Sequence, residues 1–359
     1  MKLFACGVCG QPLMFENTSC VSCHHRLGYD VVSDTMVALD PLDDLWRPAS
    51  GDTSRTFRFC ANAAWDVCNW LIPSEIDAQF CRACVYNRTV PDANDPAKLR
   101  LWRDLEAAKH RLIFTLIKLD LPMPTRNEDP NEGLAFDFLV EEGSTKVLTG
   151  HDQGLVTLNA AEADVAARVK LREEMGEAYR TLLGHFRHEI GHYYWDRLVR
   201  DGPMLAECRS LFGDDTADYQ QSLERHYSQG APADWREHFV SAYATMHPWE
   251  DFAETFAHYL HIVDALDTAR AFGMAVNARA VDSLEAEASL DPYRATSMEQ
   301  MTAVWDPLCF AVNALNRSMG QPDLYPFVLP PAVLQKLEFM RRLVATAGGT
   351  RAEPQRMAA

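Results

Sequence analysis

The chain has no long hydrophobic run. No uncharged stretch of about 18 or more apolar residues occurs in it, which leaves no candidate transmembrane helix. Its opening, Met1-Lys2-Leu3-Phe4-Ala5-Cys6, lacks an apolar stretch of signal-peptide length. Positive charge is scarce: 34 Lys and Arg stand against 51 Asp and Glu, a formal net charge of −17. Even residues 1–95 carry seven Lys/Arg against twelve Asp/Glu. Electrostatic attraction supplies most non-specific affinity for a phosphate backbone, so nucleic acid is not expected as a partner. Internal repeats at solenoid periods and long low-complexity segments are also missing, which excludes repeat architectures. The expectation is a soluble, cytoplasmic protein with no membrane association.

Cysteine is nearly absent from most of the chain. Of ten, only Cys208 and Cys309 lie beyond Cys84. That shift in composition sets a boundary near residues 86–96, where Pro91, Asn94 and Pro96 supply linker chemistry. In a reducing compartment the eight clustered cysteines point to metal, not to disulfides. Cys6-x2-Cys9 and Cys20-x2-Cys23 are two knuckles, each placing two thiolates on a tight turn, and together they complete one tetrahedral site. Gly7 and Gly10 suit the strained backbone of such a turn. Cys60, Cys68 and Cys81-x2-Cys84 form a second group with one knuckle spacing. It is read as a second structural zinc site, against the alternative that Cys60 and Cys68 are small buried apolar residues. His24 and His25 are spare ligands that four cysteines per site make unnecessary. A small module has little apolar core, and each zinc can add on the order of 10–16 kcal/mol of folding free energy.

Further on, helical spacing of Leu101, Leu105, Leu112 and Leu116 predicts a helix over about 97–119. Strands are expected at 134–140 and 154–158, with turn residues Gly143 and Ser144 between them. A long helical pattern runs from Leu171 to Arg200, stopped by Asp201-Gly202-Pro203. It contains His188-Glu189-Ile190-Gly191-His192. Histidines four apart stack on one helical face and can bind one zinc ion. Glu189, rotated by about 100°, can reach a water whose pKa zinc lowers from about 15.7 to about 7, and so serve as general base. The bland alternative is an amphipathic helix with hydrogen-bonded histidines.

A catalytic zinc needs a third protein ligand and an open position. Pro248 opens a helix to about Phe272 on which Glu250, Glu254 and His258 share a face. Glu250 is read as the ligand and Glu254 as the residue that orients a ligating histidine from behind; the rival assignment makes Glu254 the ligand. Asp251 faces elsewhere and is read as a solvated N-terminal acid favoured by the helix dipole. Tyr243 could donate its hydroxyl to a developing oxyanion, or be a core tyrosine. His258 and His261 could sit near the metal, against the alternative that they are packing or surface residues; His226, His238 and His247 have the same alternative and no assigned partner. Pro330-Pro331 precedes a last helix to about Val344.

These residues resemble the gluzincins, metallopeptidases that use HExxH and a downstream glutamate. Glu250-Asp-Phe-Ala-Glu254-Thr-Phe256 is similar to the glutamate helix of anthrax lethal factor. That resemblance implies zinc binding by Glu250, support by Glu254 and assistance from Tyr243. The layout as a whole is similar to a bacterial family of zinc-binding metallopeptidases with an N-terminal zinc ribbon. Cys6 to Cys23, Cys60-Ala-Asn-Ala63, Cys68-Asn-Trp70, Cys81-Arg-Ala-Cys84, Phe186 to Trp195 and His247 to His261 carry it.

The sequence therefore predicts an α+β protein. Residues 1–95 form a small β zinc-ribbon module with two four-cysteine sites, 96–347 a mainly helical gluzincin-like metallopeptidase domain with a small sheet, and 348–359 a disordered tail. The expected cofactors are one catalytic and two structural zinc ions, and the expected substrate is a peptide or protein, with the strand at 154–158 as the edge to which it adds. The ribbon could engage a protein partner. The alternatives are a catalytically silent zinc-stabilised adaptor and an amidohydrolase acting on non-peptide amides.

Overall fold

The computed structural model describes residues 2–141, 143, 146–175, 181–279, 281 and 284–348. It is a mixed helix-and-sheet structure. A two-stranded ribbon, β1 (Phe4–Ala5) and β2 (Pro12–Leu13), presents the first cysteine knuckle. An antiparallel meander follows: β3 (Arg26–Asp30), β4 (Thr35–Leu42), β5 (Leu45–Pro48), β6 (Phe57–Phe59) and β7 (Leu71–Pro73). Tyr29 bridges to Trp70, so the first and last strands of the meander meet. Phe4, Phe15, Tyr29 and Trp70 pack edge to face inside it, an arrangement favoured by the ring quadrupoles.

The next strand, β8 (Asn87–Thr89), leaves that module and joins a second sheet. Helix α1 (Pro96–Lys118) then starts with Pro96 at its first position, and the Asp95 carboxylate accepts from the Ala97 and Lys98 amides. Its Phe114 ring lies 5.3 Å from Phe15 and its His110 ring stacks on Trp70. One continuous apolar core thus runs through residues on both sides of the compositional boundary. The second sheet is completed by β9 (Ala135–Leu139), β10 (Gly150–Asp152) and β11 (Leu155–Asn159), in the order β10-β11-β9-β8. The expected edge strand is therefore not the edge. Antiparallel β10 covers β11, because Gln153 and Gly154, both at positive φ, turn the chain back on itself. Of the expected turn pair at 143–144, Ser144 lies outside the described residues.

The long helix expected from Leu171 to Arg200 is divided. Helix α2 (Val165–Met175) is followed, beyond residues outside the description, by α3 (Leu182–Tyr194). Thr181 has extended backbone angles and its hydroxyl accepts from the Gly184 amide, a new helix start that periodicity does not reveal. The last turn, Trp195–Val199, widens into a π-helix. Short helices α4 (Leu205–Phe212), α5 (Tyr219–Gln229) and α6 (Trp235–His238) lead to the central helix α7 (Pro248–Ala271). His247 caps α7: its Nδ1 accepts from the Trp249 amide and its Nε2 donates to the Ala217 carbonyl. A small hairpin, β12 (Ala275–Asn277) and β13 (Glu285–Glu287), precedes α8 (Met298–Ser318), an element not anticipated from the sequence, and α9 (Pro331–Gly348). Of the expected tail 348–359, Gly348 closes α9 and the rest lies outside the described residues. No helix among the described residues is long and apolar enough to cross a membrane.

Helix α3 is clamped between the second sheet and α7. Phe186 meets Phe136 and Phe138 on one side, and Tyr194 meets Phe256 on the other. Where α3 and α7 cross, a Cβ at Gly191 would lie 2.8 Å from the Ala253 Cα. Backbone cannot yield there as a flexible side chain would. Gly191→Ala gains about 1 kcal/mol of helix propensity but meets an overpacking cost of about 1–3 kcal/mol, so a lower melting temperature than wild type is expected in thermal denaturation. An unchanged or raised melting temperature would show that the helices can part without cost.

Candidate metal centres

Among the described residues, three separate groups of potential metal-binding side chains converge, and a fourth shares Cys84 with the second of them. In the first, Cys6, Cys9, Cys20 and Cys23 bring their sulfurs together, with Cys6 to Cys23 and Cys9 to Cys20 both 3.6 Å apart. A tetrahedron with Zn–S arms of about 2.3 Å has edges of about 3.8 Å, so the spacing suits zinc. Each knuckle closes with a backbone bond to the first cysteine carbonyl, from Gly10 in one and His24 in the other. Gly10 and His24 adopt positive φ. Gly7 does not, which corrects the expectation placed on it; a Cβ there would instead strike the Ser50 hydroxyl at 2.7 Å. His25 Nδ1 lies 3.2 Å from the Cys23 sulfur, against the site and outside the ligand set.

The second group, Cys60, Cys68, Cys81 and Cys84, is fully buried. The pairing is sequential, the first four cysteines in one site and the next four in the other. The Trp70 amide donates to Cys68 and the Cys81 amide to Cys60, at 3.3 and 3.5 Å. Cys84 also touches Glu106 and His110 of α1, at 3.3 and 3.5 Å. Cys84, Glu106 and His110 are thereby also close enough to share an ion, but Glu106 has a cation of its own. The Lys109 ammonium, also buried, lies 2.5 Å from Glu106 Oε1 and already serves as its cation.

The third group joins α3 to α7. His188 Nε2 and His192 Nε2 are 3.1 Å apart, and Glu250 Oε2 lies 2.9 Å from the first and 3.5 Å from the second. Zinc with arms of about 2.05 Å would space its tetrahedral ligands by about 3.3 Å. Glu250 Oε2 is buried yet makes no well-aligned hydrogen bond, although His188 is so close. Atoms this near and this poorly satisfied suit a shared cation better than one another. The fit therefore rests on spacing, donor chemistry and an orphaned oxygen together.

The surroundings hold these ligands in place. The Glu254 carboxylate lies 2.8 Å from His188 Nδ1, behind the ring, and accepts a 2.6 Å bond from the Ser241 hydroxyl. Burial opposes its charge, but His188 and Ser241 hold it down to about 2. Burial also works against Glu250, which the two imidazoles keep well below the usual carboxylate range. His188 is buried too, and the two carboxylates raise it well above the ordinary imidazole value. Positive charge is thus at home between them. Trp249 covers His192 at a ring distance of 3.7 Å.

One supporting residue was missed by sequence reasoning. Tyr219, the first residue of α5, donates its hydroxyl to Glu250 Oε1 at 2.8 Å. It is 31 residues from Glu250 on a separate helix, and no spacing rule connects them. Tyr243 lies with its ring 6.0 Å from His188, in the 3₁₀ turn just before α7. Burial pushes its hydroxyl far above the ordinary tyrosine value, so it stays protonated as a donor. Glu189 is 7% exposed. Four other histidines considered in the sequence have partners or exposure of their own. His258 bonds Tyr325, His261 contacts Arg187, His226 faces Tyr243 and His238 is exposed. Asp251 points away, but it is buried against Lys336 of α9 and not solvated as expected, and burial lifts it to about 7 despite that partner.

Residues 98–343 match the family described as "Putative zinc-binding metallo-peptidase", and residues 3–95 match a zinc-ribbon domain. The chain is 45% identical over 345 residues to an uncharacterized protein of Mycobacterium bovis and to uncharacterized proteins of two strains of Mycobacterium tuberculosis. The alignments span 96% of this chain and 95% of each relative. No solved structure matches it. The chain belongs to this zinc-binding metallo-peptidase family, with a zinc-ribbon region at its N-terminus.

Two closed cysteine sites and one histidine site predict about three zinc ions per chain by elemental analysis, falling to about two in His188→Ala. An unchanged count would remove the histidine site. Tyr219→Phe keeps the ring but drops the bond to Glu250, and is expected to weaken the third ion by about 10-fold or more in chelator competition.

Proposed function

We propose that this chain, as a member of that family, is a gluzincin-like peptidase that hydrolyses peptide bonds at a zinc ion held by His188, His192 and Glu250. The observation that carries the reading is the approach of those three ligand atoms within 3.5 Å of one another, on two helices 58 residues apart at their nearest ligands, with Glu189 next to a ligand on α3. Zinc bound there would supply Lewis-acid activation of water and polarisation of a carbonyl.

The chain's own groups have separate tasks. Glu189 takes the proton of the attacking water and passes it to the leaving amine. Glu254 fixes the His188 ring, and Tyr219 fixes the Glu250 carboxylate. Tyr243, a protonated donor beside His188, supplies a hydrogen bond to the negative oxygen that develops on the scissile carbonyl. Strand β10, the outermost strand on that side of the second sheet, carries His151 with its ring 6.5 Å from the His192 ring. An extended peptide pairing with the free side of β10 would pass the metal centre.

Glu189→Gln is expected to leave the zinc count at the wild-type value and lower peptide hydrolysis by a factor of about 100 to 10,000. Proteolysis at the wild-type rate in that variant would refute Glu189 as the base. A zinc-loaded wild type that cleaves nothing in a broad peptide library would favour the adaptor reading instead.

A further inference from the structure

Glu254 steadies His188, but the partner of His192 is not obvious. The Nδ1 of His192 is buried and without a hydrogen-bond partner, a rare condition for a buried polar atom. Across from it stands His151 of β10, its ring 6.5 Å away and within 20° of parallel. His151 Nε2 accepts the Gly154 amide at 2.9 Å, which puts the ring's proton on Nδ1. That Nδ1 is likewise buried and unpartnered, on a side chain only 1% exposed. Two neighbouring imidazoles thus each carry a buried Nδ1 without a hydrogen-bond partner.

Asp196 is the carboxylate next to them in the fold. It follows His192 by four residues, a turn further along, where the helix widens into the π-turn Trp195–Val199. Such local widenings concentrate at functional sites because they re-aim a side chain. Its Oδ2 lies 3.8 Å from His151 Nδ1, while Oδ1 faces Arg200 at 3.4 Å. The carboxylate also lines a polar cavity of about 360 Å³ with Glu132, Arg197 and Arg200, through which water reaches it. At 3.8 Å a single bridging water or a small side-chain rotation would complete the bond to His151 Nδ1.

We propose that Asp196 and His151 are the positioning pair for His192. The carboxylate accepts, directly or through one water, the Nδ1 protons of His192 and His151. This fixes the tautomer and ring direction that turn His192 Nε2 toward His188 and Glu250. The two histidine ligands are then each held from behind by a carboxylate, Glu254 from α7 and Asp196 from the end of α3. Because His151 belongs to β10, the same pair ties the metal centre to the outer strand. The proposal rests on the reading of His188, His192 and Glu250 as a zinc site.

The test is zinc affinity in the full-length, zinc-loaded protein, measured by competition with a chromophoric chelator and scored for the third ion alone. Asp196→Ala is expected to weaken that ion by about 10- to 100-fold, leaving the two cysteine-bound ions and the far-UV spectrum unchanged. Asp196→Asn keeps an acceptor oxygen without the charge and is expected to fall between the two. Asp196→Glu is expected to recover most of the affinity, which a purely structural role would not require. If Asp196→Ala does not fold, the Asn and Glu variants decide the matter. Third-ion affinity equal to wild type in the Ala or Asn variant overturns the positioning role while the zinc site stands. A wild type that holds only two zinc ions overturns the site itself, and this proposal with it.

Discussion

The close approach of Gly191 to the Ala253 Cα is the contact on which the metal centre depends. Residue 191 lies one position before His192, and residue 253 lies three after Glu250. With a hydrogen in place of a methyl at Gly191, the axes of α3 and α7 come near enough for a glutamate side chain to reach between two imidazoles. Close-packed interiors transmit such changes, so a shift of the helices would be felt at the ligands. The sheet fixes the other face of α3 through Phe136, Phe138 and Phe186, which leaves that helix no room to move away.

Charges around this crossing are arranged in opposed pairs. Glu250 and Glu254 face His188, and Asp251 on the same helix turns to Lys336. Further along, Arg187 reaches Asp264, which also accepts from Thr115 of α1. Removing one member of a buried ion pair costs about 3–5 kcal/mol, so α1, α3, α7 and α9 are held in register by pairs as well as by apolar packing. The histidine centre differs in having more acceptors than its own donors satisfy. A divalent cation there would resolve that imbalance, and its binding would then be coupled to the folding of both helices.

The cysteine-rich region is not an appendage on a flexible linker. Cys84 touches Glu106 and His110 of α1, Phe15 packs on Phe114, and β8 completes the sheet that supports α3. Loss of the buried four-cysteine site would reach α1 directly and, through β8 and β9, the floor beneath the HEIGH helix. The first site is closer to the surface, with Cys9 exposed, and is coupled to the rest mainly by the aromatic cluster around Tyr29.

The sequence by itself determined the local chemistry. Spacing four apart put His188 and His192 on one face, paired CxxC units marked a closed thiolate site, and Pro248 marked where α7 starts. All of these are short-range relations, fixed by helix and turn geometry before any tertiary contact forms. Tertiary structure alone decided what long-range packing controls. It placed Glu250 at the Nε2 atoms of both imidazoles and Glu254 at Nδ1 of His188, brought Tyr219 to Glu250 from another helix, laid β10 outside β11, and set His151 opposite His192. It also broke the expected long helix at Thr181, where a capping hydroxyl overrides periodicity. Side chains far apart in the chain meet only when whole elements dock, and no pattern within one segment carries that information.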